Sequence, residues 1–233
     1  MQTLEVPIEE KVKFPRAVVA EVFHELWRLL DPDPSIIWEA RWPEAQSAGP
    51  LARSPHALCE RLCAVGGYRR GKREMKDIEL LYIPRMIVER NPETLLEETR
   101  EVNATDRLWD ELVRRGVFAK RLKKTGAISA WGPENKHALH VASGLAVDLF
   151  STTAEHWHNR LVCTTGSMES NIRIAKAARA MVPNAWEWEM AAGGFVPLGK
   201  TWATAPRERR TMRSEREVFE FVGLPFLPPE GRS

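Results

Sequence analysis

Residues 66–79 read Gly66-Gly67-Tyr68-Arg69-Arg70-Gly71-Lys72-Arg73-Glu74-Met75-Lys76-Asp77-Ile78-Glu79 and join two short apolar runs, at 62–65 and 80–83. Both runs have the length and composition of β-strands. Two glycines at the end of the first strand, followed by a turn of helix, would direct backbone N–H groups toward one point. Because Arg69, Arg70 and Lys72 add positive charge close to the glycines, this stretch predicts a phosphate-binding loop. The spacing is not that of a Walker loop, which needs GxxxxGK before Ser or Thr.

Three acidic residues on apolar strands are candidate metal ligands. Asp77 and Glu79 are two residues apart, so on a strand both carboxylates leave one face while Ile78 turns to the core. Two carboxylates beside a phosphate loop suit a pair of divalent metal ions. Asp148 is a lone acid in the apolar run 145–150. A buried carboxylate is costly without a partner, which predicts a metal ion or an ion pair at Asp148.

The stretch from Gly66 to Glu79 resembles the palm signature of the DNA polymerase beta family (family X), in which a glycine-serine turn and paired arginines precede Asp-x-Asp. Residues 165–173 are similar to the family's Thr-Gly-Ser…Asn…Arg element, and they read Thr165-Gly166-Ser167-Met168-Glu169-Ser170-Asn171-Ile172-Arg173. The end of the chain also resembles the family: a helix capped by Ser214, a Gly-Leu-Pro step at 223–225 and Pro-Pro-Glu at 228–230. The resemblance covers residues 13–31 and 60–233.

The resemblance implies an α+β fold in two parts. Residues 1–160 would form a nucleotidyltransferase palm, a mixed β-sheet flanked by helices, with an insertion at 33–57. Residues 161–233 would form a small α/β thumb. The lyase domain and the helix-hairpin-helix fingers of longer members have no counterpart in this sequence, so a minimal palm-plus-thumb member is expected.

The resemblance also implies a metal-dependent nucleotidyltransferase, most specifically a minimal DNA polymerase that adds nucleotides to a primer 3′-hydroxyl in gap filling or repair. Asp77, Glu79 and Asp148 would be catalytic and would hold two Mg²⁺ ions, which Mn²⁺ can replace. A larger set would contact the nucleotide and its phosphates: Lys13, Gly66, Gly67, Arg70, Thr165, Gly166, Ser167 and Asn171. Two alternatives stay open, a nucleotidyltransferase acting on an RNA end, a protein or a small molecule, and a nucleic-acid-binding module without catalysis.

Some positions depart from the family pattern. Four have a different residue type: Glu79 for Asp, Gly67 for Ser, Lys76 for Gly and Ala146 for Arg. In addition, Cys163-Thr164 stands where family members usually carry an aromatic side chain, beside the 2′ position of the sugar. Smaller side chains at this position leave room for the 2′-hydroxyl of a ribose, so ribonucleotides are expected to be inserted unusually well.

A run of cations lies at the middle of the chain, with no acid between its members: Arg114, Arg115, Lys120, Arg121, Lys123 and Lys124. Such a run is either a solvated surface or a contact to a nucleic-acid backbone. In the family this region borders the catalytic strands. DNA binding is therefore predicted for Arg121, Lys123 and Lys124.

Hydrophobic periodicity predicts further elements. Helices are expected over 15–30, from a cap at Thr105-Asp106 to Gly116, over a short segment at 95–98, and from Ser214 through Phe221. Strands are expected at 126–130, 138–141 and 145–150, and a small sheet is expected to join 186–190 with 194–198.

Composition adds little about function. The formal charge of +2 and the pI near 8.5 do not by themselves predict nucleic-acid binding. Three cysteines without a CxxC pattern favour reduced thiols. The chain begins without the apolar core of a signal peptide and has no window long enough to span a membrane, so a cytoplasmic monomer is expected.

Overall fold

The computed structural model describes residues 5–7, 12–30, 57–90, 99–190, 193–201, 203–204 and 207–232. The strands among them are β1 (Glu5–Pro7), β2 (Phe14–Pro15), β3 (Cys59–Ala64), β4 (Glu74–Met75), β5 (Asp77–Pro84), β6 (Met86–Arg90), β7 (Thr99–Asn103), β8 (Phe118–Leu122), β9 (Asn135–His140), β10 (Leu145–Ser151), β11 (Trp186–Glu189) and β12 (Gly194–Pro197). The helices are α1 (Arg16–Leu30), α2 (Gly66–Arg69), α3 (Ala104–Arg114), α4 (Trp157–Thr165), α5 (Met168–Arg179) and α6 (Glu215–Phe221).

Six strands form one mixed sheet in the order β1-β8-β9-β10-β5-β3. Strand β5 runs parallel to β10 and antiparallel to β3, while β9 is antiparallel to both β10 and β8. The parallel pair β5–β10 lies between antiparallel neighbours. The fold is therefore α+β with a mixed sheet flanked by helices, which confirms the predicted class.

The first hydrophobic core lies between α1, α3 and one face of the six-stranded sheet. Helix α1 buries one stripe at helical spacing, including Val19, Phe23 and Leu26. These pack with alternate strand residues such as Ile78 and Val147. Burial of this stripe is what makes residues 16–30 helical. The predicted helix over 15–30 is confirmed to within one residue.

A second core is formed by the C-terminal third of the chain. Its centre includes Ile174, Trp188, Phe195 and Phe219, drawn from α5, the β11–β12 hairpin and α6. The predicted boundary between palm and thumb, at 160/161, falls inside α4. That helix packs Leu161 beneath the large sheet and Val162 into the second core, so it serves both regions.

Several predicted elements differ from the structure. Asn103, rather than Thr105-Asp106, caps α3: its Oδ1 accepts hydrogen bonds from the Thr105 backbone N–H at 2.9 Å and hydroxyl at 2.7 Å. Residues 126–130 are a turn with one isolated bridge, Leu122 to Ile128, because Gly126 at φ +82° reverses the chain there. The expected helix at 95–98 lies outside the described residues.

Other predicted elements are confirmed. The small sheet is present as the antiparallel pair β11–β12. Ser214 caps α6 by accepting from the Glu217 backbone N–H. No helix among the described ranges is long and apolar enough to cross a membrane.

Candidate active site

Three carboxylates share one face of the parallel strand pair. In the β5–β10 register, Asp148 lies opposite Glu79, and Ala146 lies opposite Asp77. All three acids are partly buried, whereas Ile78 and Val147, which alternate with them, are fully buried. Alternation along a strand places the acids on the face opposite the first core. The structure thus brings together the three acids that the sequence singled out.

Burial and the charges of its neighbours make Glu79 difficult to ionise. Burial, then Asp77 and Asp148, raise the pKa of Glu79 from its ordinary value of 4.5 to about 8. Arg70 and a hydrogen bond from the backbone of Gly67 act in the opposite direction. Like charges this close are unfavourable unless a cation is added. The site therefore has the electrostatic character of a cation site.

The glycine loop closes directly over Glu79. Gly66 has φ +57°, a conformation that favours glycine, and a Cβ added there would also overlap Oε2 of Glu79 as that carboxylate now lies. The two glycines form the start of α2, a short helical turn that follows β3, as the sequence predicted; phosphate binding there stays a prediction. In this arrangement, however, the N–H of Gly67 is engaged by Glu79. A phosphate at Gly67 would require the Glu79 carboxylate to turn away, toward the other acids.

The cations between residues 114 and 124 do not form one basic surface. Arg121 makes a hydrogen-bonded ion pair with Asp148, and the two side chains are 13% and 16% exposed. Lys123 and Lys124 are exposed at the turn that follows β8. The predicted DNA contact of Arg121 stays a prediction; in this structure its guanidinium is paired within the carboxylate site rather than exposed beside the two lysines. Its long side chain can reach across β9, which strand periodicity alone does not reveal.

Arg70 and Thr165 link the glycine loop to α4. Arg70 Nη1 donates to the Thr165 carbonyl oxygen at 2.5 Å, and Arg69 Nη1 donates to the Thr165 hydroxyl at 2.7 Å. Thr165 is fully buried. Thr165 thus positions Arg69 through its hydroxyl and Arg70 through its backbone carbonyl, and it does not line the cleft. The Nε of Arg70 is buried and has no hydrogen-bond partner in the described parts of the chain.

A buried ion triad, which sequence reasoning missed, ties α2 to the C-terminal segment. Glu215 accepts from Arg69 at 2.8 and 2.7 Å and from Arg232 at 2.7 Å. All three side chains are at most 3% exposed. The paired arginines at 69–70 were the available signal, but their separate partners could not be read from spacing. This triad holds α2, and Arg70 with it, against α6.

A cleft of about 480 Å³ opens beside Glu79. It is lined by Phe150, Arg160, Cys163, Thr164, Gly166, Met168, Asn171, Ile172, Ala175 and Met190. Thr164 donates its hydroxyl proton to the Arg160 carbonyl at 2.7 Å. Burial raises the pKa of the Cys163 thiol to about 11, so this thiol is uncharged at neutral pH.

The remaining predicted nucleotide contacts take different places. Asn171 Nδ2 donates to the Cys163 carbonyl at 2.9 Å, and its buried Oδ1 lacks a partner within the described residues. A Cβ at Gly166 would lie 2.7 Å from that Oδ1 and 3.2 Å from the Val162 carbonyl oxygen, so a larger residue would displace the Asn171 side chain. Ser167 caps α5 by accepting from the Ser170 backbone N–H. Lys13 is exposed before β2 and does not line the cleft.

The donor chemistry fits hard divalent cations, since carboxylate oxygens are the ligands preferred by Mg²⁺. The described residues contain no group of three or more His, Cys, Asp or Glu side chains that could hold a metal ion as they stand. Asp148 is engaged by Arg121 and Glu79 by Gly67. Binding a shared ion would therefore require both carboxylates to exchange these partners.

No protein-family model matches the chain, and no curated protein is significantly similar to it. Its function is therefore inferred from the geometry and chemistry of the site.

Proposed function

We propose that this protein is a metal-dependent nucleotidyltransferase, and specifically a minimal DNA polymerase. The observation that carries the proposal is the placement of Asp77, Glu79 and Asp148 on one face of the β5–β10 pair. Their mutual proximity contributes to raising the pKa of Glu79 to about 8. The glycine loop and a cleft of about 480 Å³ lie beside the same carboxylates. Carboxylates, a phosphate loop and a cleft are the parts that nucleotidyl transfer requires.

Asp77, Glu79 and Asp148 would hold two Mg²⁺ ions, for which Mn²⁺ can substitute. Bound there, the ions would supply Lewis acidity to the attacking hydroxyl and to the leaving pyrophosphate. The remaining work is positioning, which dominates phosphoryl transfer. Arg70, held against Thr165, would orient the triphosphate. Asn171 would present its unpartnered Oδ1 to the base or sugar in the cleft.

The proposed partners are a DNA primer-template and a deoxynucleoside triphosphate, with Lys123 and Lys124 contacting the DNA backbone. A cytoplasmic monomer belongs to the same proposal. A second candidate is transfer to an RNA end, a protein or a small molecule. One observation favours it: Arg121 is occupied within the site, which leaves a smaller basic surface for DNA than the sequence suggested.

The test is nucleotide incorporation with a labelled primer on gapped, nicked and single-stranded DNA, and on an RNA end, in Mg²⁺ and in Mn²⁺. Extension of a DNA primer is expected, with loss in EDTA and in Asp77→Asn. The control is Glu101→Gln, an exposed carboxylate on β7. Incorporation on RNA alone would replace the polymerase assignment by the second candidate. Extension that Asp77→Asn leaves intact would contradict both.

A further inference from the structure

Arg121 reaches the carboxylates from two strands away. It lies on β8, and β9 separates it from Asp148 on β10. Lys120 and Ala138 form the last β8–β9 pair, next to the pair of His137 and Asp148 on β9 and β10. Arg121, which follows that last pair, is therefore close to His137 and Asp148, and its own carbonyl accepts from the Ser129 backbone N–H. Burial of the imidazole, and then the charge of Arg121, lower the pKa of His137. This effect agrees with a guanidinium that lies along the face carrying the acids.

The ion pair between Arg121 and Asp148 is largely withdrawn from water, at 13% and 16% exposure. The attraction within a partly buried ion pair is stronger than within an ion pair on the surface. Nη2 of Arg121 donates to Oδ1 of Asp148. A metal ion bound by Asp148 would meet the guanidinium at the same carboxylate. The two cations therefore compete.

Arg121 also has donors to spare. A guanidinium carries five N–H groups in a planar fork. Its Nε is buried and has no hydrogen-bond partner in the described portion of the chain. A buried donor without an acceptor is unfavourable. An added anion could satisfy it, and a phosphate group fits the fork in a bidentate manner.

We propose, on the basis of the function proposed above, that Arg121 is an exchangeable counter-ion of the site. In the metal-free protein it neutralises Asp148. When a divalent ion takes that carboxylate, the guanidinium turns to a phosphate group of the nucleic-acid acceptor. Metal binding and acceptor binding are then coupled, and the coupling is reciprocal.

The first test is a Mn²⁺ titration of the nucleic-acid-free protein, monitored through the electron paramagnetic resonance of free Mn²⁺. Arg121→Gln is expected to bind Mn²⁺ roughly tenfold more tightly than the unmodified protein, because the competing cation is gone. The control is Arg179→Gln, which removes an exposed arginine paired with Glu187 on the β11–β12 hairpin. Equal Mn²⁺ affinity in Arg121→Gln and the unmodified protein would overturn the inference.

The second test measures the affinity for a primer-template by fluorescence anisotropy, in EDTA and in Ca²⁺. The unmodified protein is expected to bind DNA more tightly in Ca²⁺, and Arg121→Gln is expected to lose most of that gain. An equal gain in both proteins would overturn the phosphate contact. If Arg121→Gln does not fold, Arg121→Lys serves instead. Lysine carries a point charge without the planar fork of a guanidinium, so the same changes in Mn²⁺ affinity and DNA affinity are expected, but smaller.

Failure of this inference and failure of the proposed function give different results. If Asp148→Asn weakens Mn²⁺ binding but Arg121→Gln leaves it unchanged, only the proposed exchange of Arg121 is overturned. Mn²⁺ binding that is indifferent to Asp148→Asn overturns the metal site, and the proposed function with it.

Discussion

Glu79 is enclosed by the glycine loop and two further acids, and its ionisation should govern the pH dependence of the metal-free protein. Its pKa is about 8 in the fold, against an ordinary value of 4.5. A raised carboxyl pKa contributes stability that is complete below about 4.5 and is lost as the pH rises through 8. Glu79→Gln should therefore raise the free energy of unfolding at pH 8 by roughly 2 to 4 kcal/mol and flatten its pH dependence.

Urea unfolding in EDTA at several pH values between about 4.5 and 8.5 measures this effect. Glu74→Gln, an exposed carboxylate on β4, is the matched control and should keep the slope of the unmodified protein. Addition of Mg²⁺ should remove most of the difference at pH 8. Parallel pH curves for Glu79→Gln and the unmodified protein would show that Glu79 ionises freely in the fold.

Thr164 bears on the choice of sugar. Thr164 lines the cleft beside Glu79, at the position where the resembled family usually has an aromatic side chain. Its hydroxyl already donates its proton to the Arg160 carbonyl. A 2′-hydroxyl there would have room and could donate to the Thr164 oxygen. Discrimination against ribonucleotides should be weakened by roughly 10- to 200-fold, and Thr164→Phe should restore it.

Single-nucleotide incorporation kinetics with matched dNTP and rNTP decide the point. Strong deoxyribonucleotide preference in the unmodified protein that Thr164→Phe leaves unchanged would place the selection elsewhere.

The sequence predicted which acids form the site but not their partners. Asp77 and Glu79 follow from strand alternation, and Asp148 follows from the cost of a lone acid in an apolar run. That reasoning also predicted a metal or an ion pair at Asp148, and the structure has the pair with Arg121. The identity of the partner depends on side-chain reach across β9, and Glu215 joins Arg69 across 146 residues. Neither interaction leaves a local pattern.

Among the elements, the turn after β8 carries the remaining predicted DNA contacts. Lys123 and Lys124 are exposed there. The double change Lys123→Ala, Lys124→Ala should weaken binding to all DNA sequences alike. It should also reduce the slope of log K against log salt concentration by roughly 2, because each lysine would neutralise one phosphate of the DNA backbone.

A salt series of binding measurements tests this expectation. Arg28→Ala, at an exposed arginine in the last turn of α1, is the control for a change of charge alone. An unchanged slope in the double variant would mean that the two lysines are only solvated.

Element prediction succeeded where one face of an element is buried in a regular pattern, and it failed where that pattern is missing or too short. Helix α1 and the strands around the acids have clear periodicity, and they form as expected. The β6–β7 hairpin has exposed apolar residues, Met86 and Val88, and so it lacks the strand alternation of a half-buried sheet. Strand β1 is only three residues long and pairs in parallel with β8. A strand so short carries too little pattern to be recognised before the sheet is known.

For the molecule as a whole, the Arg69–Glu215–Arg232 triad links the glycine loop to the C-terminal segment. Glu215→Gln would remove the charged carboxylate that pairs directly with two buried guanidinium groups. It should therefore lower the free energy of unfolding by about 3 to 5 kcal/mol. It should also reduce nucleotide binding, because Arg70 follows Arg69 on the same loop.

Chemical unfolding measures the stability change. Glu187→Gln removes a carboxylate from an ion pair whose arginine, Arg179, is well exposed, and it should have little effect. A Glu215→Gln protein as stable as the control would mean that the triad does not hold the two regions together.

The central claim is that Asp77, Glu79 and Asp148 act together as the metal-binding catalytic group. Single-turnover nucleotide incorporation in Mg²⁺, compared among Glu79→Gln, Asp148→Asn and Glu79→Asp, tests it most directly. The first two variants should be slower by at least about a hundredfold while remaining folded. Glu79→Asp should keep measurable activity, because it preserves the carboxylate. Full activity in Asp148→Asn would contradict the account.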